Sequence, residues 1–186
     1  MSRIVNSTYV TLDGVIQNPQ DWPSLGSFSD QGNEIQNALL ERGDSLLMGR
    51  HTYDVFAPVW SARTGDPAGD RMNALPKYVV STTLTDPRWQ NTTVLSHDPV
   101  GAIRDLREQP GGDMVQFGFG SLAHALMANG LLDELRLWVH PLFLGAGTNG
   151  DLLHRSGSSG RFDLTDATTL ENGVVILTYQ ASTRGA

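Results

Sequence analysis

The chain of 186 residues contains no cysteine, and this absence removes several kinds of chemistry at once. A protein without thiols has no disulfide bond, no cysteine nucleophile and no thiolate metal site. Any redox chemistry must therefore come from a bound cofactor. The five histidines show no H-x-x-x-H or similar ligand spacing, so we also expect no metal site.

A basic surplus and a long apolar run are absent as well. The formal net charge is −7, and the 13 lysine and arginine residues are scattered along the chain rather than clustered. We therefore expect no nucleic-acid partner. No apolar run reaches the roughly 18 residues of a membrane-spanning helix, and the first residues lack the pattern of a signal peptide. These absences favour a cytoplasmic protein without a membrane partner.

Strand-like and helical patterns alternate along most of the chain. Strands are predicted over residues 4–12, 45–48, 77–82, 92–95, 113–117, 134–144, 161–170 and 174–181. Helices are predicted after capping residues at Asp30, Asp98 and Ser121, with Gly43 at the exit of the first. A short helix is expected over residues 52–56 and a mobile surface loop over residues 57–74.

The order of these elements predicts the fold class. Helices between successive strands favour a mostly parallel central sheet, and the turn at residues 171–173 predicts a C-terminal antiparallel hairpin at its edge. The length suits a single domain over residues 1–186. We therefore expect an α/β protein of one domain.

Two glycine turns lie where predicted strands end and helices begin, the first over residues 48–53 and the second over residues 118–122. Backbone N–H groups at a helix N-terminus form an anion site, and ligands of open α/β sheets bind at this end of the strands. Two such turns could hold the two ends of a dinucleotide phosphate. Neither has the full G-x-G-x-x-G spacing, so each glycine could instead be a helix cap or a tight turn.

Five segments, in a characteristic order, carry a resemblance to known enzymes. They are residues 12–16, 48–53, 75–81, 118–122 and 132–137. The chain resembles the dihydrofolate reductase-like superfamily, and more closely the stand-alone relatives of the reductase domain of the bifunctional riboflavin-biosynthesis deaminase-reductase. The zinc deaminase half of that enzyme needs an H-x-E and a P-C-x-x-C pattern, which a chain without cysteine lacks.

The resemblance implies a three-layer reductase fold that binds NADPH and closes a loop at Asp13 over the nicotinamide. The residues implied to bind the cofactor are Asp13, Gly14, Val15, Gly49, Arg50, His51, Thr52, Ser81, Thr82, Gly118, Phe119, Gly120, Ser121 and Leu122. Arg50 offers a fork of donors for a phosphate, and the strand end at Ser81 lacks the acid that would bind a ribose 2′-hydroxyl. Arg50 could also be a solvated residue of a first helical turn.

Catalysis requires a proton source as well as the hydride of the cofactor. In dihydrofolate reductase a carboxylate on the first helix takes part in the proton relay, and the corresponding region here offers Asp30 and Glu34. Asp30 also suits a helix cap, and Glu34 could be solvated. The residues expected on the substrate side, or alternatively in ordinary packing, are Trp22, Tyr53, Phe56, Trp60 and His140.

The leading hypothesis is an NADPH-dependent reductase of a small heterocyclic or ribosylaminopyrimidine-type substrate, with the activity of a 5-amino-6-(5-phosphoribosylamino)uracil reductase in riboflavin biosynthesis. One alternative is a catalytically silent NADP(H)-binding sensor or interaction module, and another is a true dihydrofolate reductase. The strand over residues 134–140 carries apolar or aromatic side chains on both faces, which suggests a homodimer.

Overall fold

A computed structural model of the chain describes residues 1–23, 30–145, 147–148 and 150–182. The strands are β1 (Ile4–Thr11), β2 (Gly43–Gly49), β3 (Lys77–Val80), β4 (Thr92–Leu95), β5 (Asp113–Phe117), β6 (Glu134–His140), β7 (Phe162–Thr169) and β8 (Val175–Ala181). The α-helices are α1 (Asp30–Arg42), α2 (Arg50–Ser61), α3 (Pro67–Ala74), α4 (Pro99–Glu108) and α5 (Ser121–Ala128), and Pro19–Asp21 forms a 3-10 helix.

The eight strands form a sheet in the order β4-β3-β2-β5-β1-β6-β8-β7. The pairs β3/β4, β2/β3, β2/β5 and β1/β6 are parallel, whereas β6/β8 and β7/β8 are antiparallel. The expected α/β fold, with a mostly parallel sheet and a C-terminal antiparallel hairpin, is confirmed. Residue contacts divide the chain into a first unit (Met1–Ile4 and Gln36–Phe117) and a second unit (Val5–Ile35 and Gly118–Ala186). The assignment of one domain over residues 1–186 stays a prediction.

The first unit contains β2 to β5 and the helices α2, α3 and α4. Its strands bury continuous apolar runs such as Leu46 and Leu47, as expected of parallel strands covered on both faces. Helix α1 ends at Arg42 and the chain enters β2 at once. A Cβ on Gly43 would lie 2.6 Å from Cγ2 of Val115, so Gly43 is required by close packing and not by a left-handed helix cap.

The prediction of a mobile surface loop over residues 57–74 is wrong. Helix α2 continues to Ser61, beyond the short helix expected over residues 52–56, and α3 fills Pro67–Ala74. Asp66 caps α3, because its carboxylate accepts a hydrogen bond from the backbone N–H of Gly69 at 3.1 Å, and Pro67 occupies the first helical position. Met72 is buried, which fixes this helix to the unit.

The second unit has a core of Trp138, Leu170, Val174 and Ile176, against which Tyr9 packs. The indole N–H of Trp138 donates to Oγ of Ser7 at 3.1 Å, so the buried tryptophan has its polar atom satisfied. Burial of this face within the chain accounts for part of the apolar character of β6. The homodimer stays a prediction.

Two local features of the second unit bear on the sequence predictions. Gly173, at φ +84°, allows the backbone N–H of Leu170 to donate to the carbonyl of Val174 at 2.8 Å, and the expected hairpin turn is confirmed. The residue that caps α5 is Gly120, whereas Ser121, expected as the cap, is the first helical residue. The cap prediction is therefore wrong by one residue.

Candidate functional site

The first glycine turn joins β2 to α2 in the first unit. Gly49 has an ordinary extended backbone (φ −82°, ψ 169°), and a Cβ on it would meet no atom of the described residues within 4 Å. Neither conformation nor packing therefore requires glycine here. In the described part of the chain no side-chain hydrogen bond caps α2, so the first N–H groups of this helix lack a capping side chain. This arrangement is suited to a phosphate.

Arg50, the first residue of α2, has an orientation fixed by two neighbours. Its Nε donates to both carboxylate oxygens of Asp54 at 2.8 Å, and its Nη1 donates to Oγ1 of Thr83 at 3.2 Å. The side chain is 41% exposed, so the guanidinium lies at the surface beside the segment that follows β3. Asp54 and Thr83 are site neighbours that the sequence analysis missed, although the Arg50 and Asp54 spacing of i, i+4 was readable.

The segment after β3 folds around Ser81. The Oγ of Ser81 accepts hydrogen bonds from the backbone N–H groups of Thr83 (3.2 Å) and Leu84 (3.0 Å), and the residue is buried. Ser81 thus shapes the segment, whereas Thr82 and Thr83 are exposed. In α2, His51 is exposed and Thr52 is half-buried. The structure therefore groups Gly49 to Thr52 with the strand end at Ser81 and Thr82.

The aromatic residues expected on the substrate side of α2 divide into two kinds. Tyr53 is 5% exposed, and its hydroxyl accepts a hydrogen bond from the backbone N–H of Trp89 at 3.2 Å. It is a core residue, so we do not retain it as a substrate contact. Phe56 and Trp60 are half-buried, with ring centroids 6.4 Å apart, and Phe56 also lies 5.6 Å from the ring of Phe117.

Lys77 is the only lysine in the chain and is completely buried at the start of β3. Its Nζ donates to the carbonyls of Asn73 and Leu75, each at 2.7 Å, and lies 4.6 Å from the ring centroid of Trp89. Burial lowers the pKa of this amine to about 8. Trp89 also donates its indole N–H to Oδ1 of Asn73 at 2.7 Å, so this polar cluster organises the interior of the first unit.

In the second unit, the loop after β1 is fastened to a distant part of the chain. One carboxylate oxygen of Asp13 accepts from the hydroxyl of Thr11, and the other accepts from the backbone N–H groups of Leu144 (3.1 Å) and Gly145 (2.8 Å). These hydrogen bonds hold the pKa of Asp13 below its ordinary value. Asp13 therefore anchors this loop, and its direct contact with the cofactor stays a prediction.

The neighbours of Asp13 complete this anchored loop. Gly14 has φ +83°, a conformation that favours glycine, and its carbonyl accepts from the backbone N–H of Leu153 at 2.8 Å. Val15 is buried, and its N–H donates to Oγ1 of Thr11 at 2.9 Å. A Cβ on Gly14 would meet no described atom within 4 Å, so of these residues Gly14 leaves the most room for a ligand.

The second glycine turn joins β5 to α5, and its described residues belong to the second unit. Gly118 has φ +77°, and its carbonyl accepts from Nδ2 of Asn6 at 2.8 Å. Gly120 repeats the features of Gly49: an ordinary φ of −83°, open space at the Cβ position, and no capping side chain among the residues that the structure describes. Phe119 is buried against His124, so only its backbone belongs to the turn surface. Ser121 is exposed and Leu122 half-buried.

His140 is the last residue of β6, opposite Thr11 at the end of β1. Its ring centroid lies 5.0 Å from that of Tyr9 and 5.3 Å from that of Trp22. Nε2 of His140 is buried without a hydrogen-bond partner in the described parts of the chain, and burial lowers the pKa of the imidazole. The structure therefore brings Trp22 and His140 together, as two of the expected substrate residues.

The two expected proton donors lie on α1. Asp30 is its first residue and Glu34 lies one turn later, and both are exposed. Residues 24–29, immediately before Asp30, lie outside the described residues. Exposure gives neither carboxyl the apolar surroundings that tune a general acid.

The described residues provide neither a membrane-spanning helix nor a metal site, and they form a pocket away from the predicted residues. No helix there is long and apolar enough to span a bilayer. No group of three or more histidine or acidic side chains in the described ranges is arranged to hold a metal ion. A pocket of about 340 Å³ in the first unit contains none of the residues predicted from the sequence; it is lined by Ser61, Thr64, Asp70, Asn73, Ala74, Arg88, Trp89 and Gln90.

Comparison with known proteins identifies relatives over nearly the whole chain. The model of the RibD C-terminal domain family matches residues 3–176. The uncharacterized protein YyaP of Bacillus subtilis strain 168 is 28% identical over 190 residues, which cover 95% of this chain and 94% of that protein. The resemblance inferred from the sequence is confirmed.

Solved structures show the same fold. A candidate riboflavin biosynthesis protein of Shewanella sp. PV-4 matches with a TM-score of 0.74 and 24% identity over 98% of this chain and 99% of that one. A pyrimidine reductase-like protein of Corynebacterium diphtheriae matches with a TM-score of 0.69 and 11% identity over 97% of this chain and 92% of that one.

A longer protein shares the fold over part of its length. The diaminohydroxyphosphoribosylaminopyrimidine deaminase/5-amino-6-(5-phosphoribosylamino)uracil reductase of Thermotoga maritima matches with a TM-score of 0.66 and 13% identity. The match covers 97% of this chain and 57% of that one. At these identities the solved structures show the fold alone.

Proposed function

This chain belongs to the RibD C-terminal domain family, and from that premise we propose that it is an NADPH-dependent reductase of a small heterocyclic or ribosylaminopyrimidine-type substrate. The observation that carries the proposal is the pair of capping glycines, Gly49 and Gly120. Both have ordinary backbone conformations, and both face space in which no described atom would meet a Cβ. Their common feature is room for a ligand beside a helix N-terminus.

Capping energetics support this interpretation of the two glycines. Serine, threonine or aspartate at an N-cap accepts a hydrogen bond from the first turn, whereas glycine, which is also common there, has no side chain to accept one. A free helix N-terminus attracts an anion through its N–H groups and its dipole. Gly49 and Gly120 thus each fit a phosphate group of the cofactor. When bound, NADPH would supply the hydride.

The preference for NADPH over NADH rests on Arg50. Asp54 and Thr83 hold its guanidinium at the surface, and the exposed Thr82 and Thr83 beside it carry hydroxyls instead of carboxylates. An arginine fork binds a phosphate with charge-assisted hydrogen bonds, and an acid at the strand end would repel it. We therefore propose that Arg50 binds the 2′-phosphate of NADPH. The carboxylate of Asp54, which accepts hydrogen bonds from Nε of Arg50, would compete with this phosphate for the guanidinium.

Two groups of aromatic side chains are candidates for the substrate side. Phe56 and Trp60 in the first unit offer aromatic surface, and Trp22 and His140 in the second offer an aromatic and polar surface. The exposure of Asp30 and Glu34 favours a second candidate function, an NADP(H)-binding protein without turnover, because an exposed carboxyl lacks the environment of a tuned acid.

Calorimetric titration with NADPH and NADH tests the cofactor assignment. We expect the wild-type protein to bind NADPH more tightly than NADH, and Arg50→Ala to abolish this preference. Arg104→Ala removes an exposed arginine on α4 and serves as the control for charge alone. Absence of binding to either dinucleotide would overturn the reductase proposal, and a preference unchanged in Arg50→Ala would overturn the role of Arg50.

A spectrophotometric assay separates the two candidate functions. Oxidation of NADPH in the presence of aminopyrimidine ribosides and their phosphates is the expected result for the reductase. Tight binding of NADPH with no oxidation across such a panel would favour the silent binding protein. Inhibition of the reaction by an antifolate would instead support dihydrofolate as the substrate.

A further inference from the structure

His140 lies at the edge of the sheet where ligands are expected. It ends β6 and is paired with Thr11, the last residue of the parallel strand β1. The two carboxyl ends therefore lie side by side, and ligands of open α/β sheets bind at this edge. Gly14, which leaves room for a ligand, follows β1 by three residues. The imidazole thus lies at the edge of the sheet where ligands bind, and it belongs to neither glycine turn.

Aromatic packing fixes the ring of His140. The Tyr9 ring lies 5.0 Å away at an interplanar angle of 52°, and the Trp22 ring lies 5.3 Å away, edge-on at 81°. Trp22 is itself held, because its indole N–H donates to the carbonyl of Gln17 at 2.9 Å. Contacts of this kind would hold a phenylalanine ring equally well, so packing does not explain why the residue is a histidine.

Aromatic packing does not explain the polar atom Nε2 of His140. Nε2 is buried and has no hydrogen-bond partner among the described residues. A buried nitrogen without a partner destabilises the folded state, and such atoms are rare in proteins. Burial also lowers the pKa of the imidazole and thereby favours its neutral form. A neutral imidazole forms one directed hydrogen bond at Nε2, as donor or acceptor according to its tautomer.

We propose that Nε2 of His140 is a specificity-determining contact that hydrogen-bonds the polar ring edge of a planar heterocyclic substrate, with Tyr9 and Trp22 holding the imidazole in place. This inference rests on the proposed function and names the part of the substrate that is recognised. A neutral group among aromatic rings suits an uncharged ring N–H, amino group or carbonyl. It does not suit a phosphate, which favours cationic partners.

The test uses binding and stability together, on the full chain. The variants are His140→Phe, which keeps the ring and removes both nitrogens, and His140→Gln, which keeps a polar end. The probes are NADPH and 6-aminouracil, the latter titrated into the protein saturated with NADPH. We expect His140→Phe to bind NADPH like the wild type, to bind 6-aminouracil at least tenfold more weakly, and to unfold at a higher temperature. His140→Gln should recover part of the affinity.

A second measurement, made on the wild-type protein, tests the role of His140 even if His140→Phe folds poorly. In wild-type protein labelled with ¹⁵N-histidine, addition of 6-aminouracil should shift the Nε2 resonance of His140, and toluene, which has no polar edge, should not. Equal affinity of the wild type and His140→Phe for 6-aminouracil, or an unmoved Nε2 resonance at saturation, would overturn the role of His140. Failure to bind NADPH would instead refute the proposed function itself.

Discussion

Lys77 provides a stability prediction whose size follows from its surroundings. Its ammonium group is completely buried, and burial lowers its pKa from 10.5 to about 8. Between these two values the unfolded chain binds more protons than the folded one, so the free energy of unfolding rises with pH. The destabilisation is fully present below about pH 8 and is relieved as the pH approaches 10.5. Replacement by methionine removes this dependence while preserving most of the side-chain volume.

The magnitude follows from the two pKa values. A shift from 10.5 to about 8 corresponds to a destabilisation of about 3 kcal/mol at pH 7, where the amine is charged in both states. Integration of the proton linkage gives a gain of about 2 kcal/mol in the unfolding free energy between pH 7 and pH 9.5. The variant Lys77→Met should lack this gain. All other titratable groups are common to both proteins, so their contributions cancel in the difference.

Urea denaturation of the wild type and Lys77→Met at both pH values measures the difference. Because the chain has one lysine, a sample labelled with ¹³Cε-lysine gives a single resonance, whose titration reports the pKa directly even if the variant does not fold. A pKa above 10, or parallel stability of the two proteins between the two pH values, would refute the reasoning. Either result would mean that the two carbonyls and Trp89 offset the cost of burying the charge.

Three other predictions concern the candidate site. Gly49→Ala and Gly120→Ala should lower the melting temperature by only about 2–4 °C, the effect of an alanine at an N-cap whose backbone is ordinary and whose Cβ position is open, yet weaken NADPH binding at least tenfold by calorimetry. Asp54→Asn should strengthen NADPH binding more than NADH binding, since it removes the carboxylate that competes for Arg50; equal effects on both would contradict the assignment. Asp13→Asn should lower the melting temperature at pH 7, and this difference should vanish as the pH falls through the lowered pKa of Asp13, where the wild-type carboxylate is protonated.

The sequence predicted those elements whose signals are local. The cap at Asp98 is an example, because its carboxylate accepts from the backbone N–H of Gly101 within the same turn. The same signal is present at Asp66, followed by Pro67, but the prolines and glycines over residues 57–74 are typical of a loop and outweigh it in the sequence. Proline at the first helical position interrupts no hydrogen bond, and the burial of Met72 then stabilises the helix.

Site residues whose roles depend on distant partners could not be predicted in the same way. The carboxylate of Asp13 is bound by Leu144 and Gly145, more than 100 residues later, and no local pattern reveals that contact. Tyr53 lies beside the first glycine turn in sequence, but the periodicity of α2 turns it into the core against Trp89. Conversely, the unpartnered nitrogen of His140 can be recognised only after its whole environment is known.

The glycines of the two turns occupy their positions for different physical reasons, which only the structure reveals. Gly118 has positive φ, so its own turn requires glycine whether or not a ligand binds. Gly49 and Gly120 have ordinary backbones and open surroundings, so nothing in the described chain requires glycine at either position. Substitution of Gly118 should therefore cost stability, whereas substitution of the other two should cost affinity for a phosphate-bearing ligand. The proposal therefore assigns ligand binding to the two glycines that neither backbone conformation nor packing requires.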